Sequence, residues 1–121
     1  MEASTNGHLD VVKLLVDQGA PLNDRDDYGN MALHYAAQGG HVGVVKELLL
    51  HGADLTARGD KDWTPLMLAS YYGHLVVVKL LVDRGAPIFD RNQNRYTAMD
   101  YALANGNEDI INYFQSKELL K

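Results

Sequence analysis

Residues 64–86 read TPLMLASYYGHLVVVKLLVDRGA, and this stretch decides the fold because it returns at a fixed interval on both sides. MALHYAAQGGHVGVVKELLLHGA stands 33 residues earlier, at 31–53, and TAMDYALANGNEDIINYF opens 33 residues later, at 97. Gly7-His8, Gly40-His41 and Gly73-His74 keep that spacing, and the next step lands on Gly106-Asn107. Val12, Val45 and Val78 align, as do Leu15, Leu48 and Leu81, then Gly19-Ala20, Gly52-Ala53 and Gly85-Ala86. Leu33, Leu66 and Met99 form another register, and Ala36, Ala69 and Ala102 a further one. A period of this length marks stacked supersecondary units, each too small to bury its apolar face alone.

Each unit reads as two short helices. Leu33 to Gly39, Leu66 to Tyr72 and Met99 to Asn105 set small alanines among larger apolar residues, as an inner helix approached closely by neighbours requires. Val42 to His51 and Leu75 to Arg84 are longer, with apolar positions at i, i+3 and i+4, and they turn Lys46 and Lys79 outward. Gly40, Gly73 and Gly106 break the chain between paired helices, while Gly19, Gly52 and Gly85 stand where a left-handed C-cap is expected. Turn-rich segments at 21–32, 54–65 and 87–98 join one pair to the next.

The 33-residue period, Thr64-Pro65-Leu66, the Ala36-Ala37 pair, Gly-His, the Leu-Leu or Leu-Val pair and Gly-Ala together resemble the ankyrin repeat over nearly the whole chain. That resemblance implies an all-α solenoid of helix-turn-helix units joined by β-hairpin or turn fingers, with a concave surface that usually binds proteins. Residues 1–121 then form one domain: a partial repeat at 1–25, repeats at 26–58 and 59–91, and a C-terminal capping repeat at 92–121. The cap is suggested by Asn107, Glu108, Asp109, Asn112, Gln115 and Ser116, interspersed among Ile110, Ile111 and Phe114. Ala3 aligns with Ala36, so the first inner helix is mostly missing, and the sequence reads as a natural fragment or an engineered piece. Leu9, Val12, Leu15 and Val16 would then present an apolar face to be covered by self-association, or else fray.

Two departures from the family pattern carry expectations. Met31-Ala32-Leu33-His34 keeps half of the Thr-Pro-Leu-His motif and Thr64-Pro65-Leu66-Met67 loses the histidine, so some of its fixed hydrogen bonds should be missing. Finger-tip Gly29 is matched by Asp62 and Arg95. If the backbone keeps a positive φ there, Arg95 is strained by roughly 1 kcal/mol.

Composition narrows the chemistry. The chain has 46% apolar and 22% charged residues, close to ordinary globular usage, which argues against disorder. Its net charge of -5 disfavours nucleic acid. The longest apolar stretch, Leu75 to Val82, is interrupted by Lys79 and falls far short of the roughly 18 residues a membrane span needs. The absence of cysteine excludes disulfides and thiolate sites, and leans the reading towards the cytoplasm or nucleus. His8, His41 and His74 are each a repeat apart, so stacking places them at successive levels rather than around one metal, and His51 has no partner at ligand spacing. The family pattern implies that these histidines tie helix-helix turns and that His34 supports its finger. Asp90-x-Asn92-x-Asn94 and Asp24-x-Asp26 open like calcium loops, but Arg95, Tyr101, Tyr28 and Tyr35 stand where the loop would have to close. No nucleophile elbow or phosphate loop occurs, so the reading is a non-enzyme with no cofactor.

Recognition residues are better represented. The resemblance places the variable, partner-facing positions on finger tips and inner helices, where this sequence has Arg25, Tyr28, Asn30, Arg58, Lys61, Trp63, Tyr71, Tyr72, Arg91 and Tyr96. Trp, Tyr and Arg join large contact area to directional polar atoms, and they dominate interface hot spots. Two local readings compete: Trp63 and Tyr96 could cover neighbouring fingers, and the Arg25, Arg58 and Arg91 ladder could pair between fingers instead of clamping an acidic partner. Finger charge drifts from -2 at 24–29 (one Arg, three Asp), through zero at 57–62, to +1 at 90–95 (two Arg, one Asp). The expectation is a protein-binding module, with a self-associating repeat scaffold as the alternative.

Overall fold

The computed structural model describes residues 23–119, and the face formed by Leu9, Val12, Leu15 and Val16 lies outside them. Among the described residues, six α-helices make three packed pairs: α1 (Ala32–Gly39) with α2 (Val42–Leu50), α3 (Pro65–Tyr71) with α4 (Leu75–Asp83), and α5 (Ala98–Ala104) with α6 (Glu108–Leu119). The inner helices α1, α3 and α5 pack in sequence as one layer, and α2, α4 and α6 form the second.

Close packing of the inner layer follows from side-chain size. Ala36, Ala69 and Ala102 are wholly buried, leaving room for Leu33 and Leu66 from adjacent turns. The outer layer repeats its own registers, with Val44, Val77 and Ile110 buried in one and Leu48, Leu81 and Phe114 in the next. Val45 and Val78 are fully buried, whereas their counterpart Ile111 is only partly covered, as an end unit requires.

The inner helices start by a shared device built from different atoms. In α5, Thr97 Oγ1 accepts from the Asp100 N–H at 3.1 Å and Asp100 Oδ2 accepts from the Thr97 N–H at 2.9 Å. In α3, Thr64 Oγ1 accepts from the Met67 N–H at 3.2 Å, while the Met67 sulfur stands 3.5 Å from the Thr64 nitrogen. Met31 gives α1 no cap hydroxyl, but its N–H donates to His34 Nδ1 at 3.1 Å. His34 Nε2 also lies 3.1 Å from the carbonyls of Ala57 and Trp63, so this side chain ties its own helix to the next finger. Met67 has no second donor for the same task, which is the loss expected from its sequence.

Turns between paired helices carry the stacking bonds. His74 Nε2 donates to the Gln38 carbonyl at 2.9 Å, and Asn107, one period later, donates to the Ser70 carbonyl at the same distance. Gly40 has φ 71°, and a Cβ there would meet the His74 ring at 2.5 Å, so the backbone is left-handed and closely covered at once. The C-cap expectation holds at Gly52 and Gly85, whose φ values are 93° and 95°.

The joining fingers are tight turns, and no strand forms among the described residues. One closing backbone bond recurs: Asp26 N to Asn30 O at 2.8 Å, Gly59 N to Trp63 O at 2.8 Å, and Asn92 N to Tyr96 O at 3.1 Å. Asp62 and Arg95 do adopt positive φ, at 64° and 68°, alongside 83° at Gly29.

Candidate functional site

Fingers and inner helices together form one face of the stack, and the arginine ladder runs along it. Arg25 Nη1 donates to Gly29 O in its own finger at 2.7 Å and to Arg58 O in the next at 2.6 Å. Arg58 Nη1 repeats the step onto Arg91 O at 2.5 Å, with Nη2 3.5 Å from Asp90. Arg91 bonds within its own finger, to Arg95 O at 2.7 Å, and lies 3.8 Å from Asp100. Period-33 spacing thus places Arg25 and Arg58 where a backbone carbonyl of the following finger awaits, and along the ladder the carbonyls take more of the guanidinium hydrogen bonding than the carboxylates do. Asn30 is similarly engaged, its Oδ1 accepting from the Asp60 N–H at 3.0 Å. Lys61 is exposed, and its carbonyl accepts from the Gln93 N–H at 3.1 Å. Tyr28 stands 70% exposed on its finger.

The other aromatic candidates converge. Trp63 stacks on Tyr101 with centroids 4.3 Å apart and planes 23° from parallel. Tyr71 meets both rings edge-on at 5.6 Å, Tyr96 meets Tyr101 edge-on at 5.4 Å, and Tyr72 extends the cluster from Tyr71 at 4.9 Å. Trp63 is half-buried and Tyr101 is 6% exposed, while Tyr72 and Tyr96 remain half-exposed at 49% and 51%. The cluster therefore has a structural floor and a displayed rim. Covering a neighbouring unit describes Trp63 well and Tyr96 only in part.

Tyr101 is the member the sequence reading missed. Its signal was a polar residue nine positions earlier: Asn92 Nδ2 donates to Tyr101 Oη at 2.6 Å, and Asn92 Oδ1 closes the finger by accepting from the N–H groups of Asn94 and Tyr96. The same spacing joins Asp26 to Tyr35, whose hydroxyl donates to the carboxylate while the Tyr28 and Asn30 N–H groups bind the other oxygen at 3.0 Å. That hydroxyl bond is the largest influence holding the Asp26 carboxyl below its ordinary 3.8, and it raises Tyr35 above 10.0. Burial depresses His34 below 6.5, outweighing the Ala57 and Trp63 carbonyls. Within the two calcium-like sequences, the Asp26 and Asn92 side-chain oxygens are spent on finger closure and Asp90 faces Arg58, and no three His, Asp or Glu side chains converge among the described residues.

Two depressions flank the cluster. A small one of about 120 Å³ lies among Asn30, Gln38, Asp60, Trp63, Leu68 and Tyr72. A larger open groove of about 630 Å³ runs beside α5, past Tyr71, Tyr96, Tyr101 and Leu103, with Arg91 and Arg95 at its edge. Aromatic faces dominate the larger lining, with Asp100 among them, and Asp60 lines the smaller one. Comparison with known families gives two matches, to ankyrin repeats (many copies) over residues 1–49 and to ankyrin repeats (3 copies) over residues 57–119. No curated protein matches the chain.

Proposed function

The chain belongs to the ankyrin-repeat family, and on that premise we propose that it is a non-catalytic protein-binding module whose partner lies across the Tyr72 and Tyr96 rim. Ankyrin repeats are generally protein–protein interaction modules. The observation supporting this binding face is the convergence of Trp63, Tyr71 and Tyr96 from two successive units on Tyr101, with Tyr72 added through Tyr71 and with Tyr72 and Tyr96 half-exposed. Exposed aromatic area of this kind is costly to keep in water and rewarding to cover with a partner. Rigidity adds to it, because rings held by other rings lose little side-chain entropy on binding.

The experiment captures a partner with the full chain, identifies it by mass spectrometry, then measures its affinity for Tyr72→Ala and Tyr96→Ala variants. A loss of tenfold or more with the thermal midpoint nearly unchanged is the expected result. Unchanged affinity in both variants overturns the proposed face. Trp63→Ala is a poor probe, since its ring stacks on Tyr101 and its removal weakens the fold along with the surface.

A further inference from the structure

The groove beside α5 has a charge arrangement found in neither of the other fingers. Arg25 and Arg58 direct their guanidinium groups onto carbonyls one finger onward, so their donors are partly spent on the fold. Arg91 stays in its own finger, with Asp100 a loose and exposed partner at 3.8 Å. The Arg95 guanidinium makes no hydrogen bond or ion pair with any described residue. This cation stands at the edge of a groove of about 630 Å³ walled by Tyr71, Tyr96 and Tyr101, with Leu103 53% exposed beside them and the Asp100 carboxylate, 3.8 Å from Arg91, also in the lining.

Arg95 is also an expensive residue for its position. Its φ of 68° is one that glycine adopts without strain, and Gly29 does so in the first finger. An arginine kept in a glycine conformation while its guanidinium makes no hydrogen bond or ion pair among the described residues is a local cost that points to a use outside the fold.

We infer that this groove binds an extended protein segment in which a glutamate or aspartate side chain adjoins an aromatic or aliphatic one. The inference rests on the protein-binding reading above and names the partner's chemistry. A carboxylate accepts two parallel N–H bonds from a guanidinium, here Arg95, with Arg91 able to trade its loose Asp100 contact for a second carboxylate. The neighbouring apolar side chain lies against the Tyr71 and Tyr101 ring edges and Leu103, exchanging water for aromatic surface. Charge sets the direction. The 24–29 finger sums to -2 and the 90–95 finger to +1 in a chain of net charge -5, so an acidic segment is repelled from one end of the face and drawn to the other.

The probe is an acetylated, amidated octapeptide carrying Glu-Phe-Glu-Leu between Gly-Ser ends, alongside a twin with Gln for both Glu. Blocked termini make the side chains the sole carboxylates. Titrated into the isotope-labelled full chain, the Glu peptide should shift amide resonances of residues 91–104 saturably, and the Gln twin should bind at least tenfold more weakly. Arg95→Gly should lose a similar factor for the Glu peptide while raising the thermal midpoint, a pair of opposite effects that a structural role for the arginine does not produce. Arg95→Gln tests the charge again with the backbone strain retained. Equal affinity for the two peptides, no saturable shift, shifts centred on 24–29, or undiminished binding by Arg95→Gly would each overturn the inference. A captured partner separates the two proposals. If its affinity falls in Tyr72→Ala and Tyr96→Ala but not in Arg95→Gly, the binding face stands and the acidic segment falls; indifference to all three removes both.

Discussion

The first and last fingers close with the same lock and experience it differently. Asp26 with Tyr35 and Asn92 with Tyr101 share a nine-residue spacing and the same pair of N–H groups bound to one side-chain oxygen. The first lock is charged, with Asp26 and Tyr35 partly exposed; the last is neutral, with Asn92 at 5% and Tyr101 at 6% exposure. Between them, Gly59 and Leu68 occupy the same positions and there is no lock at all. The middle finger closes instead by a short 3-10 turn at Asp60–Asp62 in which Lys61 and Asp62 both take positive φ. The same closing backbone bond is thus reached with an ionic lock, with a neutral polar lock, and with no side-chain lock but a locally different backbone. The neutral buried lock also supplies the floor of the aromatic cluster, while the ionic one remains answerable to solvent.

The most severe way to break this comparison is Tyr101→Ala. It removes a buried ring touched by Trp63, Tyr71 and Tyr96 and leaves the Asn92 amide without its acceptor, so a loss of about 3–5 kcal/mol is expected in denaturant unfolding. Tyr35→Ala, on the partly exposed lock, should cost well under half as much. Equal losses would show that burial does not distinguish the two.

Gly59→Ala probes the finger without a lock. The new Cβ would stand 2.1 Å from Asn30 Oδ1 and 3.0 Å from His34 Nε2, displacing the group that accepts from Asp60. A cost of about 1–3 kcal/mol follows from the forced shift and the lost bond. A variant as stable as the parent would mean that Asn30 simply moves aside.

Acid sharpens the contrast between the ends. The buried His34 ring favours its neutral form, so the unfolded chain takes up protons first; stability is full above about pH 6.5 and declines as pH falls below it. Asp26, held below 3.8, contributes stability that is present above that value and lost as pH falls through its lower folded one. Both groups belong to the first described unit, whereas the Asn92 lock has no titrating carboxyl. Urea midpoints between pH 7.5 and 5 should fall in the parent and flatten in His34→Asn. An unchanged slope in that variant would remove His34 as the cause.

The smallest effect concerns α3. Ser70 Oγ is wholly buried with no hydrogen-bond partner among the described residues, and the same register in α1 holds Ala37. Ser70→Ala should therefore stabilise by about 0.5–1 kcal/mol, since it removes a desolvated hydroxyl and improves helix propensity. A loss instead of a gain in thermal midpoint would show that the hydroxyl has work there.

The repeat period was legible in the sequence because stacking imposes it: units of equal length set Ala36, Ala69 and Ala102 in equivalent places, and each inner helix begins within a residue of where its pattern put it. Backbone demands were legible too, since the finger geometry forces positive φ at Asp62 and Arg95 whatever their side chains prefer. Side-chain destinations were not. Spacing showed that Arg25, Arg58 and Arg91 stand one above another, but a guanidinium on a long flexible stem chooses among carbonyls, carboxylates and water by distances of a few ångströms that exist only once fingers are stacked. Tyr101 was hidden for the same reason. Its burial depends on Trp63 of one unit lying flat against a helix of the next, and that contact is set by the tertiary placement of two rings 38 residues apart.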